Sequence, residues 1–121
     1  MLIGQCHCAN VSFETDHLPA VLTECNCSIC VRYGARWAHF SPDQVRIRVR
    51  NGSPATYSRD QRNIDFHHCP ACGCVTHYST TDKADPKVAR VSVNARMCPA
   101  RLVADIQIRH FDGADSFKFL D

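Results

Sequence analysis

Apolar and polar residues alternate with period two through most of the patterned stretches of the chain, which predicts strands rather than helices. The sharpest case is 45–50, where Val45, Ile47 and Val49 face one way and Arg46, Arg48 and Arg50 the other. Asn51-Gly52 follows as a turn signal, and 55–58 reads as the partner strand of a hairpin. Similar patterns predict strands at 11–15, 75–79, 88–93 and 102–109. Helix signals are few. Ser41-Pro42-Asp43-Gln44 has a capping Ser, a Pro suited to the first helical position and a Gln three residues after the Ser, which predicts one short turn. Ser28 is expected to cap another turn, carrying Cys30. No internal repeat or low-complexity linker interrupts the pattern, and the polar stretch 80–86 reads as a surface loop. The expectation is a single, mainly β domain over residues 1–121.

Composition narrows the class without changing that picture. A length of 121 residues suits one domain, and 45% hydrophobic with 21% charged residues is ordinary for a globular protein. The net charge of +2 arises from 14 basic and 12 acidic residues that are scattered rather than clustered, so no nucleic-acid footprint is visible. No run approaches the roughly 20 apolar residues of a membrane helix, and the first residues lack the regions of a signal peptide. A cytoplasmic protein with no nucleic-acid or membrane partner is expected.

Nine cysteines change the picture most, since seven of them fall in three tight clusters: Cys6 and Cys8; Cys25, Cys27 and Cys30; Cys69 and Cys72. A disulfide framework fits poorly. The count is odd, and cysteines one or two residues apart are too close to staple distant parts of a fold. In a reducing compartment clustered thiols point to metal. Zinc is borderline-soft, binds thiolates well and accepts the tetrahedron a protein offers, and two Cys on one turn can aim both sulfurs at one ion. Cys69-Pro70-Ala71-Cys72-Gly73 is the strongest piece, because Pro after the first ligand and Gly after the second suit a tight zinc knuckle. It supplies two ligands, and Cys6 with Cys8 are the natural donors of the other two, although spacing alone does not settle the pairing. Cys25, Cys27 and Cys30 offer three thiols. Three protein ligands leave a fourth position for water or substrate, as in catalytic sites. Equally, Cys74, His7, His67 or His68 could close that site into a structural one.

Other residues weigh less. Cys98 reads as a small buried hydrophobe. His67 and His68 are adjacent in a strand, so they face opposite ways and suit supporting or surface roles, while His77 and His110 read as ordinary strand residues. The arginines of 45–50 read as a solvated face. Arg32, Tyr33 and Arg36 follow the three-thiol cluster directly and could reach a ligand there, Arg32 and Arg36 by holding a carboxylate. No Ser-His-Asp set, phosphate-cradling loop or paired carboxylates stand out, so any chemistry belongs to the metal.

Nearly the whole chain resembles the glutathione-dependent formaldehyde-activating enzyme family, which includes the centromere protein V group. The resemblance rests on Gly4-Gln5-Cys6-His7-Cys8 with Val11-Ser12-Phe13, on Cys25-Asn26-Cys27-Ser28-Ile29-Cys30 with Gly34, on Cys69-Pro70-Ala71-Cys72-Gly73, and on the ending 109–121. It implies a β-tent of antiparallel sheets built around a zinc held by Cys6, Cys8, Cys69 and Cys72. It implies also a second, labile zinc at Cys25, Cys27 and Cys30, which become the catalytic residues. The implied activity joins formaldehyde to glutathione as S-hydroxymethylglutathione, a carbon–sulfur lyase reaction in reverse, with a small thiol and a small aldehyde as partners. Two positions depart from the family pattern: Ala9 stands where Gly is frequent, at little expected cost, and Cys74 where a small hydroxyl residue is frequent. Against the enzyme stands a non-enzymatic zinc module that binds another protein through its sheets, both metals being structural.

Overall fold

The computed structural model describes residues 1–59 and 62–121. Its ten strands are β1 Ile3–Gln5, β2 Val11–Thr15, β3 Val21–Cys25, β4 Trp37–Phe40, β5 Val45–Val49, β6 Ala55–Ser58, β7 Ile64–His68, β8 Val75–Thr80, β9 Val91–Asn94 and β10 Gln107–Phe111. Two short α-helices, α1 Ser28–Tyr33 and α2 Ala100–Val103, and three single 3-10 turns at Pro42–Gln44, Pro86–Val88 and Ala95–Met97 complete the regular elements. The protein is mainly β, as the alternating pattern predicts. Strands β1, β2 and β5 form a three-stranded sheet; the other seven form a second sheet in the order β10-β3-β4-β9-β8-β7-β6. Every pairing is antiparallel except β10 with β3, which run parallel from Gln107 beside Val21 to Phe111 beside Cys25. The antiparallel sheets that the resemblance implies thus carry one parallel edge, where the last strand returns to lie along β3.

Alternation does its expected work in β2, where Val11, Phe13 and Thr15 are buried and Ser12 and Glu14 are not. Leu2, Phe13, Leu22, Ala38, Phe40 and Val93 form the main core between the sheets, with Ile47 and Cys98 packed against it. Burial pushes the Cys98 thiol up to about 12, in keeping with a packing role.

Three local expectations are corrected. Strands β5 and β6 are not a hairpin: β5 pairs with β2 in the small sheet and β6 with β7 in the large one. The Asn51-Gly52 turn carries the chain between sheets because Asn10 holds it, donating to the Asn51 carbonyl and accepting from the Asn51 N–H. Residues 102–109 are not one strand, since α2 follows Pro99 and β10 starts only at Gln107. The first helical residue of α1 is Ser28, but the cap position belongs to Cys27, with no side-chain cap. The Ser41 capping box forms as read.

Candidate metal centres and cavity

The first cysteine pair lies in the β1–β2 turn and the third in the β7–β8 turn, so the two clusters come from different sheets. Their sulfurs meet: Cys6, Cys8, Cys69 and Cys72 present Sγ atoms that all lie within 4.8 Å of one another. Cys8 Sγ is 3.7 Å from Cys6 Sγ and 3.6 Å from Cys69 Sγ. A tetrahedron with metal–sulfur bonds of 2.3 Å has edges of about 3.8 Å, so this donor set fits a zinc ion. The turns supply the supporting amides. Ala71 and Cys72 N–H groups point at Cys69 Sγ at 3.3 and 3.4 Å, and the Val11 N–H at Cys6 Sγ at 3.2 Å. Backbone N–H groups of Cys74 and Cys8 draw the Cys72 thiol down to about 5. Cys8, despite an N–H from Asn10 that favours its thiolate, is pushed up to about 11, chiefly by the Cys69 sulfur. Crowded thiols that keep a proton between them are the arrangement a cation relieves.

In both turns the residue after the second cysteine is left-handed: Gly73 has φ 80° and Ala9 φ 66°. Ala9 thus occupies a conformation that costs an L-residue roughly 1–2 kcal/mol, more than the sequence suggests. Ala9→Gly is expected to raise stability by about 0.5–1 kcal/mol after the unfolded chain's added freedom is subtracted, measured as a higher urea midpoint of the zinc-loaded protein.

The second cluster sits at the end of the large sheet. Strand β3 ends at Cys25, Cys27 caps α1, and Cys30 lies one turn into that helix; their sulfurs are mutually within 4.8 Å. Gly34 ends the helix at φ 63° with its N–H on the Cys30 carbonyl. Trp37 Nε1 donates to Cys30 Sγ at 3.4 Å, and the Cys27 N–H to Cys25 Sγ at 3.4 Å. Cys30 shares its proton with Cys25, which lowers the Cys25 thiol to about 5 and raises that of Cys30. Again the crowded sulfurs of Cys25 and Cys30 form an arrangement that a cation would relieve.

Among the described residues no fourth donor joins this cluster. Cys74, a candidate from its sequence position, packs instead beside Cys6, Cys69 and Cys72. His67 is stacked on His77 at 4.2 Å and bonded to Ser79 Oγ, and a β-bulge separates it from His68. His77 is buried, and burial holds its imidazole down to about 3. The three sulfurs face a cavity of about 340 Å³. Trp37, Phe66 and Tyr78 form one wall, with Trp37 and Tyr78 packed edge to face at 4.8 Å. The C-terminal segment forms another wall through Phe111, Phe117 and Phe119.

That segment is latched to the cluster. Asn26, between two of the cysteines, donates to Asp112 Oδ1 and accepts from the Ala114 N–H. A Cβ on Gly113 would stand 2.5 Å from Cys25 Sγ and 3.2 Å from Cys27 Cβ. Gly113→Ala must therefore displace a sulfur. It is expected to weaken metal retention at this cluster at least tenfold while the four-cysteine site keeps its ion, read as metal content after dialysis against graded chelator.

The structure places Arg32 and Arg36 outside the lining. Arg36 pairs with Glu24 at 2.6 Å, and Arg32 donates to the Ser28 carbonyl at 2.8 Å. Arg32 lines a shallow neighbouring depression that shares Ile29 and Arg59 with the cavity. The guanidinium groups in the cavity wall are those of Arg59 and Arg90, which sequence reading passed over. Nothing in the local pattern separates them from the solvated arginines of β5.

With this geometry in place, comparison with known proteins is decisive for the family. The family described as glutathione-dependent formaldehyde-activating enzyme matches residues 1–110. The chain belongs to this family. A solved crystal structure of a Rhodobacter sphaeroides protein shares its fold, with a TM-score of 0.69, 24% identity, and coverage of 88% of this chain and 99% of that one. No curated protein matches. Family membership and both thiol clusters are compatible with zinc binding. Among the described residues no helix is long and apolar enough to cross a membrane.

Proposed function

We propose that this protein is a zinc-dependent carbon–sulfur lyase acting on the adduct of a small thiol, glutathione by family likeness, with a small aldehyde. The carrying observation is the three-sulfur cluster of Cys25, Cys27 and Cys30 opening on an apolar cavity, with no fourth donor among the described residues. Family membership over residues 1–110 supports the reaction class. In this reading Cys6, Cys8, Cys69 and Cys72 hold one zinc and pin the two sheets together.

Cys25, Cys27 and Cys30 would hold the zinc, and the chemistry it would supply is a lowered pKa for a thiol substrate. Three thiolates outweigh the ion's charge, so the site suits a soft thiol better than water. The chain's residues do the rest. Trp37 donates to Cys30 and fixes its sulfur, the aromatic walls exclude water from the reacting carbon, and Arg59, with Arg32 at the neighbouring rim, can hold the carboxylates of a glutathione moiety. Tyr78 lines the cavity with its hydroxyl 3.3 Å from His39 Nδ1, itself 2.6 Å from Ser92 Oγ. This chain is suited to passing a proton to or from the adduct's hydroxyl oxygen. In the forming direction the sulfur–carbon bond is made as the carbonyl π pair takes up the thiol's proton; the lyase direction reverses both.

The test is exchange between free and adducted formaldehyde in the presence of glutathione, followed by NMR on the zinc-loaded protein. Acceleration over buffer that saturates with glutathione is expected; no acceleration with formaldehyde or with a larger aldehyde sinks the proposal.

A further inference from the structure

The family's founding aldehyde is a single carbon, yet the three sulfurs look into about 340 Å³ of largely apolar space that includes six aromatic side chains. Arg59 and Arg90 offer partners to glutathione's carboxylates at the wall, but its ammonium and amides would lose water against the apolar remainder of the cavity with few partners in return. The C-terminal segment supplies three of the rings, Phe111, Phe117 and Phe119. Their placement is built: Phe111 bridges Phe119, the rings stand 5.1 Å apart, and the Arg109 guanidinium sits 4.0 Å over the Phe119 ring. Phe117 is held at φ 57° and is 72% exposed, an arrangement that leaves a large apolar face at the cavity wall without cover from the other described residues.

We infer that the aldehyde-derived half of the adduct carries an apolar, ring-sized group that seats between Trp37, Phe66 and the Phe111–Phe119 hairpin. The thiol's polar remainder stays at the rim near Arg59. The inference rests on the lyase reading above and names the substrate class of the same site. The reaction is unchanged in balance: the thiol's sulfur bonds to the carbonyl carbon, the π pair takes the proton, and nothing is oxidised or reduced.

Trp37 is the chain's one tryptophan and lines the cavity, so its fluorescence reads occupancy directly. Two stable thioethers serve as probes on the zinc-loaded protein: S-benzylglutathione, which mimics the adduct of an aromatic aldehyde, and S-methylglutathione, which mimics that of formaldehyde. The benzyl compound is expected to bind at least tenfold tighter, equivalent to about 1.4 kcal/mol, and Phe117→Ala with Phe119→Ala to remove most of that preference. Equal affinities overturn the inference, as does a benzyl preference that survives both alanines. Exchange assays with benzaldehyde and with formaldehyde separate the two levels. Acceleration with formaldehyde alone overturns the inference and leaves the lyase reading standing, acceleration with neither overturns both, and faster exchange with benzaldehyde supports both.

Discussion

Cys69→Ser is expected to abolish cooperative folding. Cys69 is buried, its sulfur accepts two backbone N–H groups, and it belongs to the one cluster that draws ligands from both sheets. Structural zinc contributes roughly 10–16 kcal/mol of apparent binding free energy, whereas whole domains are stable by about 5–15 kcal/mol. Losing the ion therefore removes an amount comparable to the entire stability. A circular dichroism melt of the variant should lose its sigmoidal transition, and wild-type protein stripped with excess chelator should behave likewise. A variant that melts within a few degrees of wild type would mean that the hydrophobic cores hold the sheets together without the metal.

Cys27→Ser should do the opposite, leaving a folded protein without exchange activity. The three-thiol cluster draws only on β3 and the adjoining α1, so the packing of the sheets does not depend on it. Its loss is expected to cost about 1–3 kcal/mol, from one buried side chain and its helix end, against at least a hundredfold fall in glutathione–formaldehyde exchange. Metal analysis should give close to two zinc per wild-type chain and close to one per variant. Added glutathione should also draw wild type down toward one if the second ion is labile. The non-enzymatic module shares the loss of stability but makes the contrary forecast on chemistry: no exchange activity in either protein. The pair of substitutions thus separates an ion that builds the fold from one that serves the cavity.

Much of this division of labour was readable in advance, for reasons that can be traced to particular residues. The turn Cys69-Pro70-Ala71-Cys72-Gly73 is local: its sulfurs, its N–H donors and its left-handed glycine lie within five residues, so composition and spacing specify the geometry. The alternation in β2 and β5 is equally local. The expected β5–β6 hairpin failed because Asn51-Gly52 fits a turn between sheets as well as a turn within one, and the Asn10 side chain, 41 residues away, chooses between them. Residues 102–109 misled for a similar reason, since their alternation continues through a helical turn that Pro99 and the main core impose.

Sequence by itself determined the mainly β character, the three cysteine clusters and the capacity of the tight turns to present thiols to a metal, because each depends on neighbours a few residues apart. Only the tertiary structure decided which clusters bring their sulfurs together, that Cys74 stands with the four-cysteine cluster, and that Arg59, Arg90 and the C-terminal phenylalanines, rather than Arg36, line the cavity. Those outcomes depend on where separate strands end in space and on Glu24 holding Arg36 elsewhere. Such long-range pairings are set by the packing of whole sheets, and no spacing along the chain encodes them.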